Sequence, residues 1–209
     1  MIYYLIINED INMELVDQIA KQMPSSRYKK YLTYQKYEDK INCVFAYLLI
    51  KKYLIENNDD GAINIDYTPL EKPFFKNKKL QFNISHGNKM IAVAFSEATI
   101  GLDVEKITNF QNLLTSMYSK EEIKKYQDKL RIDEFNTKTW TAKESYTKLL
   151  GEGINIDFKT LVFDLEKNTI KYNGVYITSY QIEDYYLSIS SSTTNIQIKE
   201  IKINDLLNM

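Results

Sequence analysis

The chain has 209 residues, with 27 Lys and Arg set against 28 Asp and Glu for a formal net charge of −1. That length holds one large domain or two of about 100 residues each, and 44% apolar residues are enough for a packed core. The balanced charge excludes a global positive field for nucleic acid, and a single cysteine excludes an internal disulfide or a thiolate zinc site.

Met1 to Ile7 is apolar and β-branched, and Asn8, Glu9 and Asp10 interrupt it at once. It lacks a basic leader and a small-residue cleavage site, so it reads as a first strand rather than a signal peptide. No run approaches the roughly 20 apolar residues that span a bilayer, so the expected location is the cytoplasm, with no membrane partner.

Apolar residues at Ile41, Val44, Phe45, Leu48, Leu49 and Tyr53 predict a helix from about Glu38 to Ile55. The polar run Asn57-Asn58-Asp59-Asp60-Gly61 stops it. Strand-like runs follow at Ile63 to Tyr67, Phe82 to Ser85, Met90 to Phe95 and Thr99 to Glu105. Ser119 with Glu122 fits a capping box, and a longer helix is predicted from Ile132 to Leu150, capped by Gly151. Alternation then returns at Leu161 to Leu165, Ile170 to Tyr172, Val175 to Ile182, Tyr185 to Ser190 and Ile196 to Ile203, with Asn173-Gly174 as a hairpin signal. The expectation is an α+β chain of two similar lobes, 1–100 and 101–209, each a helix on a mostly antiparallel sheet.

Three local features carry chemistry. In Gly101-Leu102-Asp103-Val104-Glu105, residues two apart on a strand share a face, so the two carboxylates project together. They repel each other, and hard oxygens of this kind suit Mg²⁺. In Trp140-Thr141-Ala142-Lys143-Glu144-Ser145-Tyr146-Thr147-Lys148, the residues Trp140, Glu144 and Lys148 stand four apart on one helical face. Glu144 then offers a third oxygen or a base, and Lys148 a cation for a phosphate; Gly151-Glu152-Gly153 turns the chain. The third feature is Phe82-Asn83-Ile84-Ser85-His86-Gly87, a strand running into a turn with the only histidine. Alone, each has a plainer reading: a solvated strand face, an i,i+4 ion pair beside a core tryptophan, and a structural histidine. Lys72-Pro73 and the cluster Arg27, Lys29 and Lys30 add cations.

Taken in order, Lys72-Pro73, Asn83-Ile84-Ser85-His86, Gly-Leu-Asp103-Val-Glu105 and Trp140-x-x-Lys143-Glu144-Ser145-x-x-Lys148 resemble the Sfp-type 4′-phosphopantetheinyl transferases over nearly the whole chain. The resemblance implies a pseudo-dimer of two lobes with coenzyme A in the cleft between them. It implies transfer of the phosphopantetheine arm from coenzyme A to a serine of an apo acyl, peptidyl or aryl carrier protein. Adenosine 3′,5′-bisphosphate is then released. By the same carry-over Asp103, Glu105 and Glu144 bind Mg²⁺, with Mn²⁺ as a substitute. Glu144, or a water on the metal, takes the serine proton, and Lys148 stabilises the leaving phosphate. Asp103, Lys143 and Lys148 lie by the pyrophosphate, Ser85 and His86 hold the 3′-phosphoadenosine end, Lys72 lies by the adenine, and Arg27 and Lys30 reach the 3′-phosphate. The chain departs from the family at Asn42-Cys43, where relatives carry Arg-Thr, and at Gly87, where a serine is frequent. The carrier is expected to dock on Thr108 to Tyr126, where Leu113, Leu114, Met117 and Tyr118 are apolar. The length favours the monomeric two-lobed class. Two other readings stay open: a Mg²⁺-dependent nucleotide pyrophosphohydrolase, and a non-catalytic module that binds coenzyme A or a carrier.

Overall fold

A computed structural model of the chain describes residues 1–59, 61–151 and 156–209. Asp60, Glu152 and Gly153, named above as chain-turning residues, lie outside the described residues. The protein is α+β, and the chain divides into two units, one of residues 1–97 with 197–209 and the other of residues 98–196. The expectation of lobes at 1–100 and 101–209 is corrected at the C-terminus. The reason is a parallel strand pairing that draws the last residues back to the first strand.

In the first unit the strands are β1 (Ile2–Ile6), β2 (Ile65–Tyr67), β3 (Pro73–Phe75), β4 (Gln81–Gly87), β5 (Met90–Ser96) and, from the far end of the chain, β10 (Ile198–Glu200). Four of them form a sheet in the order β10-β1-β5-β4, and β2 and β3 make a separate two-stranded ribbon. β1 runs antiparallel to β5 and parallel to β10, with Ile2 opposite Ile198. Helices α1 (Met13–Ala20) and α2 (Ser25–Thr33) precede the long α3 (Tyr37–Glu56). Residues 42 to 50 of α3 are all buried, the pattern of a helix enclosed on every side. Tyr3, Leu5, Val44, Leu48, Phe95 and Ile201 belong to the core around it. Glu38 and Asp39 lie in its first turn, where acidic groups complement the helix dipole.

In the second unit β6 (Gly101–Lys106), β7 (Thr169–Tyr172), β8 (Val175–Ile182) and β9 (Tyr185–Ser191) form an antiparallel sheet in the order β6-β9-β8-β7. Asn173 and Gly174, both at positive φ, make the two-residue turn between β7 and β8 that their sequence signals. Ser119 and Glu122 cap α5 (Lys120–Lys125) reciprocally, after the short α4 (Leu114–Met117). α6 (Asp133–Leu150) ends in left-handed Gly151, whose N–H donates to the Thr147 carbonyl at 3.0 Å. Leu161 to Leu165 differs from the expected strand. Leu161, Phe163 and Leu165 are buried while Val162 is exposed, but among the described residues the segment joins no sheet.

How close α6 lies to its sheet follows from side-chain size. Asp103 faces Ser188 across β6 and β9, and Ser188 faces Ser179 across β9 and β8, so the row beneath the helix is short. Thr141 of α6 lies 2.7 Å from the Ser188 hydroxyl, and Ser145 lies 2.9 Å from that of Ser190. Gly101 completes the contact, because a Cβ there would run into the backbone of Ser145 and Leu149. Leu102, Val104, Leu187 and Ile189, on the other face of the same strands, are fully buried.

Candidate functional site

Two groups of side chains answer to the sequence features, one in each unit. In the second unit, Asp103 and Glu105 project from β6 toward the helix face that carries Glu144 and Lys148. Asp103 is 4% exposed, Glu144 8%, and Glu105 is half-buried. Lys148 Nζ donates to Asp103 Oδ1 at 2.5 Å. Burial first, then the charge of Asp103 and more weakly that of Glu144, push the Glu105 carboxyl up to about 7, with Lys148 opposing. Glu144 is raised for the same reasons, burial before the Asp103 charge. The Thr147 hydroxyl donates to the Glu144 carboxylate at 3.4 Å.

Three neighbouring carboxylates, two of them raised by burial and by the Asp103 charge and faced by the Lys148 ammonium, form a site short of positive charge. Hard, anionic oxygens with a surplus of negative charge fit a divalent cation such as Mg²⁺. Among the described residues, no three His, Cys, Asp or Glu side chains stand as a closed metal-binding group; one oxygen of Asp103 is engaged by Lys148. Trp140 turns into the core, stacked on Phe110 at 5.4 Å and tilted against Phe158 at 5.2 Å.

Lys143 stands apart in this group. The resemblance sets it beside the pyrophosphate, but here its side chain is 0% exposed and its ammonium is spent inside the fold. Nζ donates to the Met117 carbonyl at 2.7 Å, the Phe158 carbonyl at 3.0 Å and both oxygens of Glu122 at 3.0 and 3.2 Å. Burial holds it below the usual lysine range, with the Glu122 carboxylate pulling the other way. The apolar patch expected on Leu113 to Tyr118 is also divided. Met117 and Tyr118 are core, Leu113 is exposed and Leu114 is only partly covered.

In the first unit, Arg27 of α2 is 6% exposed, donating from one Nη to the Cys43 carbonyl at 2.9 Å and from the other to Tyr67 Oη at 3.3 Å. Its Nε is buried without a hydrogen-bond partner. Lys30 pairs with Glu71 and stands about 6 Å over the rings of Tyr34 and Tyr67; that hydrogen bond raises its pKa. Lys72 is half-buried, and desolvation lowers its pKa. His86 is exposed beside buried Ser85, and its Nδ1 lies 3.3 Å from the Asn42 amide nitrogen. The Asn42-Cys43 pair thus sits between the two expected ligand groups: Asn42 steadies His86, and Cys43 gives its carbonyl to Arg27. Sequence reasoning missed Tyr34, Tyr67 and Glu71, which share Lys30; the left-handed backbone of Glu71 leaves no signal in residue type.

Carboxylates on the first strand of an antiparallel sheet, faced by Glu and Lys one helical turn apart, define a class of acid-and-lysine sites suited to phosphoryl chemistry. Residues 99–198 match the 4′-phosphopantetheinyl transferase superfamily. The chain is similar to the 4′-phosphopantetheinyl transferase gsp of Aneurinibacillus migulanus, with 25% identity over 100% of this chain and 94% of the relative. It is similar to the 4′-phosphopantetheinyl transferase ffp of Bacillus subtilis, with 23% identity over 74% of this chain and 72% of that protein. The human L-aminoadipate-semialdehyde dehydrogenase-phosphopantetheinyl transferase is 27% identical over 62% of this chain and 48% of its own length. The residues matched to the superfamily include both the Asp-x-Glu strand and the Lys-Glu helix, and the resemblance read from the motifs is borne out.

Proposed function

We propose that the protein transfers the phosphopantetheine arm of coenzyme A to the serine hydroxyl of an apo carrier protein. A bond forms between the serine Oγ and the phosphorus that bears the pantetheine arm. The bond from that phosphorus to the bridging oxygen breaks, and adenosine 3′,5′-bisphosphate leaves with the bridging electrons. The serine proton passes to Glu144, whose burial raises its affinity for a proton at neutral pH. Lys148 balances the charge that grows on the leaving phosphate. Asp103, Glu105 and Glu144 would hold Mg²⁺, which when bound offsets charge on the pyrophosphate. Lys30, Lys72, Ser85 and His86 would bind the nucleotide end, with Arg27 behind them. The protein would act as a cytoplasmic monomer; among the described residues no helix is long and apolar enough to cross a membrane.

The observation that carries this reading is the alignment of Glu144 and Lys148 over the Asp103–Glu105 strand, within the residues that match the superfamily. The test is intact mass spectrometry of a peptidyl and a fatty-acid carrier incubated with the protein, coenzyme A and Mg²⁺. A phosphopantetheine-sized gain, lost with EDTA, is expected. Coenzyme A consumed without a gain on either carrier points to a pyrophosphohydrolase. Coenzyme A bound but unconsumed points to a binding module.

A further inference from the structure

Glu122 and Lys143 form an ion pair whose side chains are 2% and 0% exposed, and every other ion pair among the described residues reaches solvent. An ammonium has three protons to donate. Here they serve acceptors from three separate stretches: the end of α4 at Met117, the first turn of α5 at Glu122, and the turn at Phe158. The same Glu122 oxygen that meets Lys143 also accepts the Ser119 N–H at 2.9 Å, so the cap of α5 and the anchor of α6 share one carboxylate. The residue that gathers these stretches is the immediate neighbour of Glu144.

We propose that Lys143 is a positioning residue, fixed by Glu122, that sets the rotation and height of the helical turn presenting Glu144, and that it does not touch coenzyme A. This rests on the transfer reaction proposed above. A buried pair of this kind adds little net stability over an apolar pair of similar size, since desolvation offsets the attraction. What it adds is a unique geometry, because the ammonium is satisfied only when all three stretches converge on it. An apolar pair would tolerate sliding and rotation of α6, and a shift of about 1 Å at a reacting group lowers a rate on the order of a hundredfold.

The test compares wild type with the double variant K143M/E122Q, which buries no charge and leaves an amide oxygen to cap α5. The expected result is a folded protein with a thermal midpoint close to wild type and an unchanged Kd for coenzyme A. Its kcat for carrier modification falls at least tenfold, on the order of the loss that misplacement produces. Retained kcat in the folded variant would overturn the proposal, as would a weakened Kd with kcat intact. A variant that does not fold also counts against it, since the pair is then a requirement of folding rather than of placement. A second measurement needs no variant: acetic anhydride labelling of the native protein with and without coenzyme A. Lys143 should stay unlabelled in both, and labelling that coenzyme A suppresses would make it a ligand contact. If wild type modifies no carrier, the transfer reading fails, and the labelling still judges Lys143.

Discussion

Gly101 lies so close beneath Ser145 that a Cβ on it would stand 2.0 Å from the Ser145 carbonyl oxygen and 2.4 Å from the Leu149 amide nitrogen. Both are backbone atoms of α6 and cannot swing aside. The first residue of the Gly-x-Asp-x-Glu motif therefore has a packing reason that needs no ligand. Gly101→Ala must lift the helix that carries Glu144 and Lys148 away from Asp103. Overpacking of this kind costs about 3 kcal/mol, to be read as a lowered midpoint in urea unfolding, with carrier modification lost at temperatures where the variant is still folded.

Glu144→Gln keeps the shape of the side chain and removes its ability to accept a proton. Loss of a general base lowers turnover by about 10²–10⁴-fold. Transfer followed by intact mass should fall into that range while coenzyme A binding by calorimetry is largely spared. Unchanged turnover would remove Glu144 from the mechanism.

Glu105 gives a pH signature of opposite sign to an ordinary carboxylate. Its folded pKa of about 7 is above the ordinary 4.5, so the folded state holds this proton more tightly than the unfolded chain does. Its contribution to stability is fully present below pH 4.5 and is lost as pH rises from 4.5 to 7. In EDTA the thermal midpoint should show this decline, and Glu105→Gln should flatten it. Added Mg²⁺ should raise the midpoint more at pH 8 than at pH 5, because ligands must be deprotonated to bind.

Glu56 behaves the other way. Burial opposes its charged form, but hydrogen bonds from Lys199, Tyr3 and Lys52 outweigh this and hold the carboxyl near 2. Its stabilisation is present above pH 4.5 and is lost as pH falls toward 2. Since Lys199 lies on β10, acid should loosen the C-terminal segment. Protection factors for amide hydrogen exchange at Lys199 and Glu200, taken against the intrinsic rate at each pH, should fall at pH 3 in wild type, and Glu56→Gln should show that lower protection already at pH 6.

Much of this was readable in the residues. β1, β4, β5, β6, β8, β9, α3 and α6 follow from strong periodicity, and the Asn173-Gly174 turn from its positive φ requirement. The failures have physical causes. Alternation at Leu161 to Leu165 reports which side chains are buried, but not whether a neighbouring strand is there to pair. Apolar runs also carry no address, so nothing local to Ile198–Glu200 says that its partner is β1. Reading the motif as a block sets Lys143 with Glu144 and Lys148, but its side chain meets Glu122 instead. One residue along a helix turns the side chain by about 100°, away from the stripe of Glu144 and Lys148 and toward Glu122.

The return of residues 197–209 to the first unit reaches into synthesis. Truncation after Ile196 would remove β10 together with Ile201, Ile203 and Leu206, all buried, at a cost of about 5 kcal/mol or more, comparable with the whole stability of many domains. The truncated chain should be recovered as an aggregate, as judged by size-exclusion chromatography.

On the ribosome the order of events is reversed relative to the sequence. Chains emerge from the N-terminus at about 5–20 residues per second, so β1 is made long before its outer partner β10. Until β10 is made, the outer edge of β1 has no strand beside it, and an open edge is an invitation to pair with another chain. The second unit, whose sheet closes with β9 at Ser191, has all its strands out of the ribosome before the first can finish. The sheet of the first unit thus stays open along one edge until every strand of the second unit has been made.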